Sequence, residues 1–291
     1  MSNPWKAEMG VARVDPAHTH REMACRPSCP ALRTYVRGYC GYFESATALT
    51  SRVELPSGSV GLIVGLGPAV EVAYPGHRPG STARVTSFVA GLHDSYAVTK
   101  ATGWQQGVQI ELTPVGAHML LGVSMDSLAN RVVELDQVLG RFAARLAEQL
   151  YEAAGWPARF DVLDVVIASR LAAARRPAPA ITWALRRLTE TAGLVGIGAL
   201  ADELGSSRQY LAAGFREQVG LPPKTLARIL RFQRVTRLIE REGEAGLAQV
   251  ADECGYYDQA HLNRDFRAFA GRTPSQFLAR RLPDGAGVAC D

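Results

Sequence analysis

The side chains best suited to chemistry in this chain recur at helical spacing near its C-terminal end. Gln259, Ala260, Asn263, Arg264 and Arg267 fall at i, i+1, i+4, i+5 and i+8, which is one face of a helix. A carboxamide offers a donor and an acceptor side by side, the pattern that matches adenine. A guanidinium matches guanine or grips phosphate oxygens, and a small alanine admits a thymine methyl. About fifty residues earlier, Arg208, Gln209, Ala212, Ala213 and Arg216 form a similar face. Both faces permit recognition of a nucleic-acid groove. A row of arginine and glutamine is equally the composition of a solvated surface, so the elements that hold the faces decide the reading.

Those elements are two copies of one unit. Leu200-Ala-Asp-Glu-Leu-Gly205 answers Val250-Ala-Asp-Glu-Cys-Gly255, and the stretch from Phe215 to Lys224 answers that from Phe266 to Ser275. In each copy a small residue, Ala201 or Ala251, allows a close helix crossing. A glycine, Gly205 or Gly255, supplies the turn, and Leu211 with Phe215, or Leu262 with Phe266, face inward. Between the copies Pro222-Pro223 opens a helix running to about Glu240, with Leu226, Ile229, Leu230, Phe232 and Val235 for burial. It also carries Arg228, Arg231, Arg234 and Arg237, of which Arg231 and Arg234 are expected on phosphate. Such a rod would hold two recognition helices for successive major-groove segments roughly 34 Å apart. Thr273-Pro-Ser-Gln276 has the pattern of a capping box opening a last helix through Arg281. From Gly196 to Arg281 there are 13 Lys and Arg against 10 Asp and Glu, so affinity must come from where the arginines sit more than from bulk charge.

The stretch from about Ile181 to Leu282 resembles the DNA-binding domain of the AraC/XylS family, most specifically in the passage from Gly255 through Tyr256, His261, Arg264, Phe266 and Gly271 to Thr273-Pro-Ser-Gln-Phe277. The resemblance implies seven helices, two of them recognition helices held apart by a linker helix, behind a domain that senses an effector or dimerises. It implies double-stranded DNA and RNA polymerase as partners, a small-molecule effector, homodimer formation, and a transcription factor acting as activator or repressor, with no catalytic residue, cofactor or metal. The charged stretch Met1 to Met23, which lacks an apolar core, leads to the expectation of a cytoplasmic protein. One departure from the family pattern is that Ala212 and Ala213 stand where long polar side chains are common. Base reading in copy one then falls to Gln209 and Arg208, with Arg216 on phosphate.

The rest of the chain fits a regulator without identifying what it senses. From Tyr35 to Thr113 short β-prone runs alternate with Pro and Gly turns, clearest at Val108, Ile110 and Leu112. Helical spacing follows over Leu128–Ala153 and Val162–Ala174, where Leu139, Phe142, Leu146 and Leu150 suit core packing or dimerisation. The expected fold is α+β: a flexible leader over 1–30, a β-rich sensing or dimerisation domain with C-terminal helices over 31–174, a linker at 175–180, an all-α DNA-binding domain over 181–282 and a tail at 283–291.

Two passages of the front domain, Leu55-Pro-Ser-Gly58 with Gly61-Leu-Ile-Val64, and Leu112-Thr-Pro-Val-Gly-Ala117 continuing to Gly122, resemble an uncharacterised β-rich module found ahead of this DNA-binding domain in other regulators. Aromatic residues Tyr35, Tyr39, Tyr42, Phe43 and Trp104 are expected in its core, or as the lining of an apolar pocket. A net charge of +4 excludes nothing, while the broken apolar run Val60–Val70 is far short of a membrane span. The five cysteines are expected as thiols. His18, His20, Cys25 and Cys29 are soft-metal ligand types at a spacing that fits no common zinc pattern. The rival class is an alkyl-transfer or other enzyme with a regulatory tail, for which Cys40, or the pair Cys25 and Cys29, would supply the nucleophile.

Overall fold

The computed structural model describes residues 19–75, 82–242, 246–279 and 288–289. Strand alternation sets the front half. In β7 (Ala97–Leu112), Val108, Ile110 and Leu112 are fully buried and Gln109 is exposed. Opposite them in β3 (Val60–Gly65) lie Val64, Leu62 and Val60, buried with them. A slip of β3 by one residue would turn its three apolar side chains to the wrong face, so this pairing fixes the register. The antiparallel sheet runs β1 (Thr19–Pro27), β2 (Val36–Glu54), β7, β3, β6 (Phe88–Ala90), β8 (Val132–Glu134). A side branch, β4 (Val70–Ala73) with β5 (Thr82–Val85), joins the first half of β7. The pairing of the long strands β2 and β7 is irregular between Ala46 and Thr50, where Gly103 adopts φ 75, and the ladder kinks there.

Helices cover the apolar face. Thr113 caps α1 (Pro114–Leu121) by accepting the Gly116 N–H at 3.0 Å, and a Cβ on Gly116 would meet the Tyr35 carbonyl at 2.0 Å, which accounts for the Thr-Pro-Val-Gly sequence there. After α2 (Leu135–Leu139) and α3 (Arg141–Glu152), α4 (Gly155–Ala172) lies against β2. Its Trp156 ring occupies the space left by Gly41, and Phe160 stacks on Tyr39 at 5.8 Å. Asp164 accepts from Arg26, from the Cys29 N–H and from the Tyr39 hydroxyl. Burial and that carboxylate push the Tyr39 hydroxyl well above its ordinary pKa, so it remains a donor.

Several expectations for the front domain need correction. The helical spacing from Leu128 is interrupted by Asn130 at positive φ, by β8 and by Gly140, because Val132 and Val133 are drawn into pairing with β6. Leu139, Leu146 and Leu150 are buried and Phe142 lies under the Arg170 guanidinium, so this stripe is core and offers no dimer face. The expected leader gives way at Thr19, since β1 pairs with β2 from there. That same register sets Cys25 opposite Cys40, and the two form a disulfide, where thiols were expected and Cys40 was a candidate nucleophile. Of the soft-ligand group, His20 bonds Glu22, Cys29 is a free thiol, and His18 lies outside the described residues. In the tail, β9 (Val288–Ala289) pairs with Arg52 and Val53 of β2.

Beyond a non-helical connection at 173–178 come seven helices among the described residues: α5 (Pro179–Glu190), α6 (Ile197–Glu203), α7 (Arg208–Gln218), α8 (Pro223–Glu242), α9 (Leu247–Glu253), α10 (Gln259–Ala270) and α11 (Pro274–Ala279). The last begins with the anticipated capping box: Thr273 Oγ1 accepts the Gln276 N–H and Gln276 Oε1 accepts the Thr273 N–H at 3.0 Å. Arg281 lies outside the described residues. The two halves dock closely. Gly220 packs on the Met125 carbonyl, the Gly58 N–H donates to Gln233 at 3.2 Å, and Tyr96 fills the space beside Gly271. Their buried side chains belong to one continuous cluster. Among the described residues, no helix is long and apolar enough to cross a membrane.

Candidate nucleic-acid interface

Each copy of the repeat folds as helix, tight turn, helix. Gly205 and Gly255 take φ 57 and 70, the left-handed conformation that ends α6 and α9. The second helix of each pair then starts on a side-chain cap: Ser207 accepts the Tyr210 N–H at 3.1 Å, and Asp258 accepts the His261 N–H at 2.6 Å. Ala201, Leu211 and Phe215 are buried in copy one, as are Ala251, Leu262 and Phe266 in copy two. With the inward stripes so fixed, the opposite stripes must face out.

They do. In α7, Arg208, Gln209, Ala213 and Arg216 are exposed and Ala212 half-exposed. In α10, Gln259, Ala260, Arg264 and Arg267 are exposed and Asn263 half-exposed. None of these side chains is held in an ion pair within the described residues. The two faces are joined by α8, whose 20 residues make a rod of about 30 Å. That length is close to the pitch of a DNA duplex.

The rod's arginines also make contacts within the chain. Arg231 donates to the Gly255 carbonyl at 3.4 Å and lies over the Tyr256 ring, so it braces the second turn. Arg234 is half-exposed, close enough to Cys254 to act on its thiol electrostatically. Arg208, though exposed, folds back against Gly198 of α6.

Arg228 does more than the sequence suggested. It donates to Asp265 at 2.7 Å and covers the Phe269 ring, tying α10 to the rod. The hydrogen bond to Asp265 raises the Arg228 pKa, so the guanidinium stays charged. The matching position in copy one is Gly214, whose missing side chain lets Ile181 of α5 pack in its place. The two recognition helices are therefore anchored by different physics, one by close packing and one by an ion pair.

Two exposed tyrosines went unnoticed in the sequence: Tyr210 on α7 and Tyr257 in the turn before α10, the latter 93% exposed.

Comparison with known proteins adds the following. Residues 200–280 match a helix-turn-helix domain family, and residues 25–134 match a domain of unknown function. The chain is 28% identical over 189 residues to a protein of Streptomyces antibioticus described as an AraC-like transcription regulator, spanning 64% of this chain and 56% of that one. A second protein so described, from Streptomyces lividans, is 31% identical over 42% of this chain and 35% of its own length. The chain thus spans about half or less of the curated relatives it matches. Among solved structures, ToxT from Vibrio cholerae aligns over 94% of this chain and 100% of its own with 10% identity and a TM-score of 0.45.

Proposed function

We propose, from the match of residues 200–280 to a helix-turn-helix domain family and the similarity to AraC-like regulators, that this chain is a sequence-specific DNA-binding transcription regulator of that type. The observation that carries the reading is the pair of outward polar faces on α7 and α10, two helices that both pack on α8. Arg208, Gln209, Gln259, Asn263 and Arg264 read base edges, Ala212 and Ala260 meet thymine methyls, and Arg216, Arg231, Arg234 and Arg267 hold the backbone. The regulator works in the cytoplasm, engages RNA polymerase, and is controlled through residues 31–174 by an effector or by homodimer formation. We read it as a regulator without enzymatic activity. The alkyl-transfer alternative loses the Cys40 thiol to the disulfide with Cys25.

The test is Arg264→Ala in the full chain. On a selected site it should cost roughly 1 to 3 kcal/mol and relax preference at one base pair, with random DNA almost unaffected. Equal weakening on selected and random DNA, with a shallower salt dependence and unchanged base preference, would assign Arg264 to the backbone and remove base reading from the α10 face.

A further inference from the structure

We propose that the cavity between α1, the 173–178 connection and the last turn of α7 binds a small carboxylate that also carries N–H or O–H donors, an amino or hydroxy acid. The cavity has a volume of about 390 Å³ and is lined by His118, Gly122, Arg175, Arg176, Glu217 and Gln218, among others. That volume lies within the range of roughly 300 to 1,000 Å³ usual for small-molecule sites.

Its groups divide into two kinds. Arg175 and Arg176 are exposed guanidiniums with no hydrogen-bond or ion-pair partner among the described residues. Paired guanidiniums match the two oxygens of a carboxylate. The complementary groups are acceptors. The Glu217 carboxylate is likewise without a bonded partner, and His118 Nδ1 is buried with no hydrogen bond at all. Burial lowers the His118 pKa, outweighing Glu217 beside it and the backbone hydrogen bond to Val123, so the ring is neutral. Two cations against one fixed anion leave a single positive charge. That balance suits a monoanion and disfavours a phosphate dianion held near Glu217. An anion at one end and donors at the other satisfy the whole lining.

The walls come from three separate parts of the chain: a front-domain helix, the connection, and the helix that carries Arg208, Gln209 and Arg216. The connection is already pinned to α7, because the Ala178 N–H donates to Gln218 Oε1 at 2.8 Å. A ligand here would lock α7 against the front domain. That consequence for DNA rests on the regulator reading; the binding itself does not.

The experiment titrates the full chain, without DNA, with the protein amino acids and short hydroxy acids, using propionate and inorganic phosphate as controls. Unfolding temperature and the His118 ring signals in NMR are followed together. At least one amino or hydroxy acid should raise the unfolding temperature saturably and move the His118 signals. Propionate and phosphate should bind at least tenfold more weakly. The double variant Arg175→Ala/Arg176→Ala, which alters only exposed side chains, should lose tenfold or more in affinity. No saturable binding by any panel member, binding by phosphate as tight as the best of them, or undiminished binding by the variant would overturn the proposal. None of these outcomes bears on whether the protein binds DNA.

Discussion

Replacing Arg228 by Ala should destabilise the second helix-turn-helix unit by about 3 kcal/mol. Asp265 is 5% exposed and its Oδ1 takes the Arg228 guanidinium at 2.7 Å, while Oδ2 has no hydrogen bond. Without its cation the carboxylate is left buried and unpaired, which typically costs 3 to 5 kcal/mol. The side chain of Arg228 is 36% exposed, so water reaches the vacated space and the lower end applies. The assay is chemical denaturation of wild type, Arg228→Ala and Arg228→Met, the last of which keeps an apolar stem over Phe269 but removes the charge. Wild-type stability in Arg228→Met would show that the loss comes from packing on Phe269 and not from a stranded charge. The double variant Arg228→Met/Asp265→Leu should recover most of the stability.

Three further outcomes follow from the packing. Gly41→Val should cost roughly 1 to 3 kcal/mol in denaturation and shift tryptophan fluorescence, because a Cβ there meets the Trp156 ring at 2.1 Å; an unchanged midpoint would mean α4 does not seat on β2. Thr273→Ala should lose about 1 kcal/mol with the capping box, read by denaturation and by faster amide exchange over 274–279. Burial pushes the Cys254 thiol up to about 11, so a thiol reagent at pH 8 should label Cys29 and leave the Cys254 peptide unmodified until the protein unfolds. Because the folded state holds that proton more tightly, the stability it contributes is complete below the unfolded value of about 8.5 and is lost as pH rises toward 11.

What could be read from the sequence was local. The alternation at Val108, Ile110 and Leu112, the glycine turns at Gly205 and Gly255, and the Thr273–Gln276 box each depend on neighbours a few residues apart, and each appears in the structure. The outward faces of α7 and α10 followed because burying Leu211 with Phe215, or Leu262 with Phe266, leaves the other stripe no choice. Long-range pairings were hidden. Arg228 and Asp265 lie 37 residues apart, and no local pattern marks them as partners. Arg231 looked like its neighbours on the rod until the turn at Gly255 was brought beneath it. Cys25 met Cys40 only through the register of β1 on β2. The helical spacing after Leu128 yielded because the sheet claimed Val132 and Val133 for an edge strand, a tertiary demand that periodicity does not carry.

The central claim, that two recognition helices on one rod read DNA together, is tested most directly by selecting bound sequences from a random duplex library with the full purified chain and footprinting the winner. The account predicts two short conserved blocks separated by about one helical turn, roughly 10 base pairs, protected on one face of the duplex. Substitutions in α10 should erase preference in one block and substitutions in α7 in the other. Absence of any sequence enrichment, or a single block whose preference responds to both helices, would contradict it.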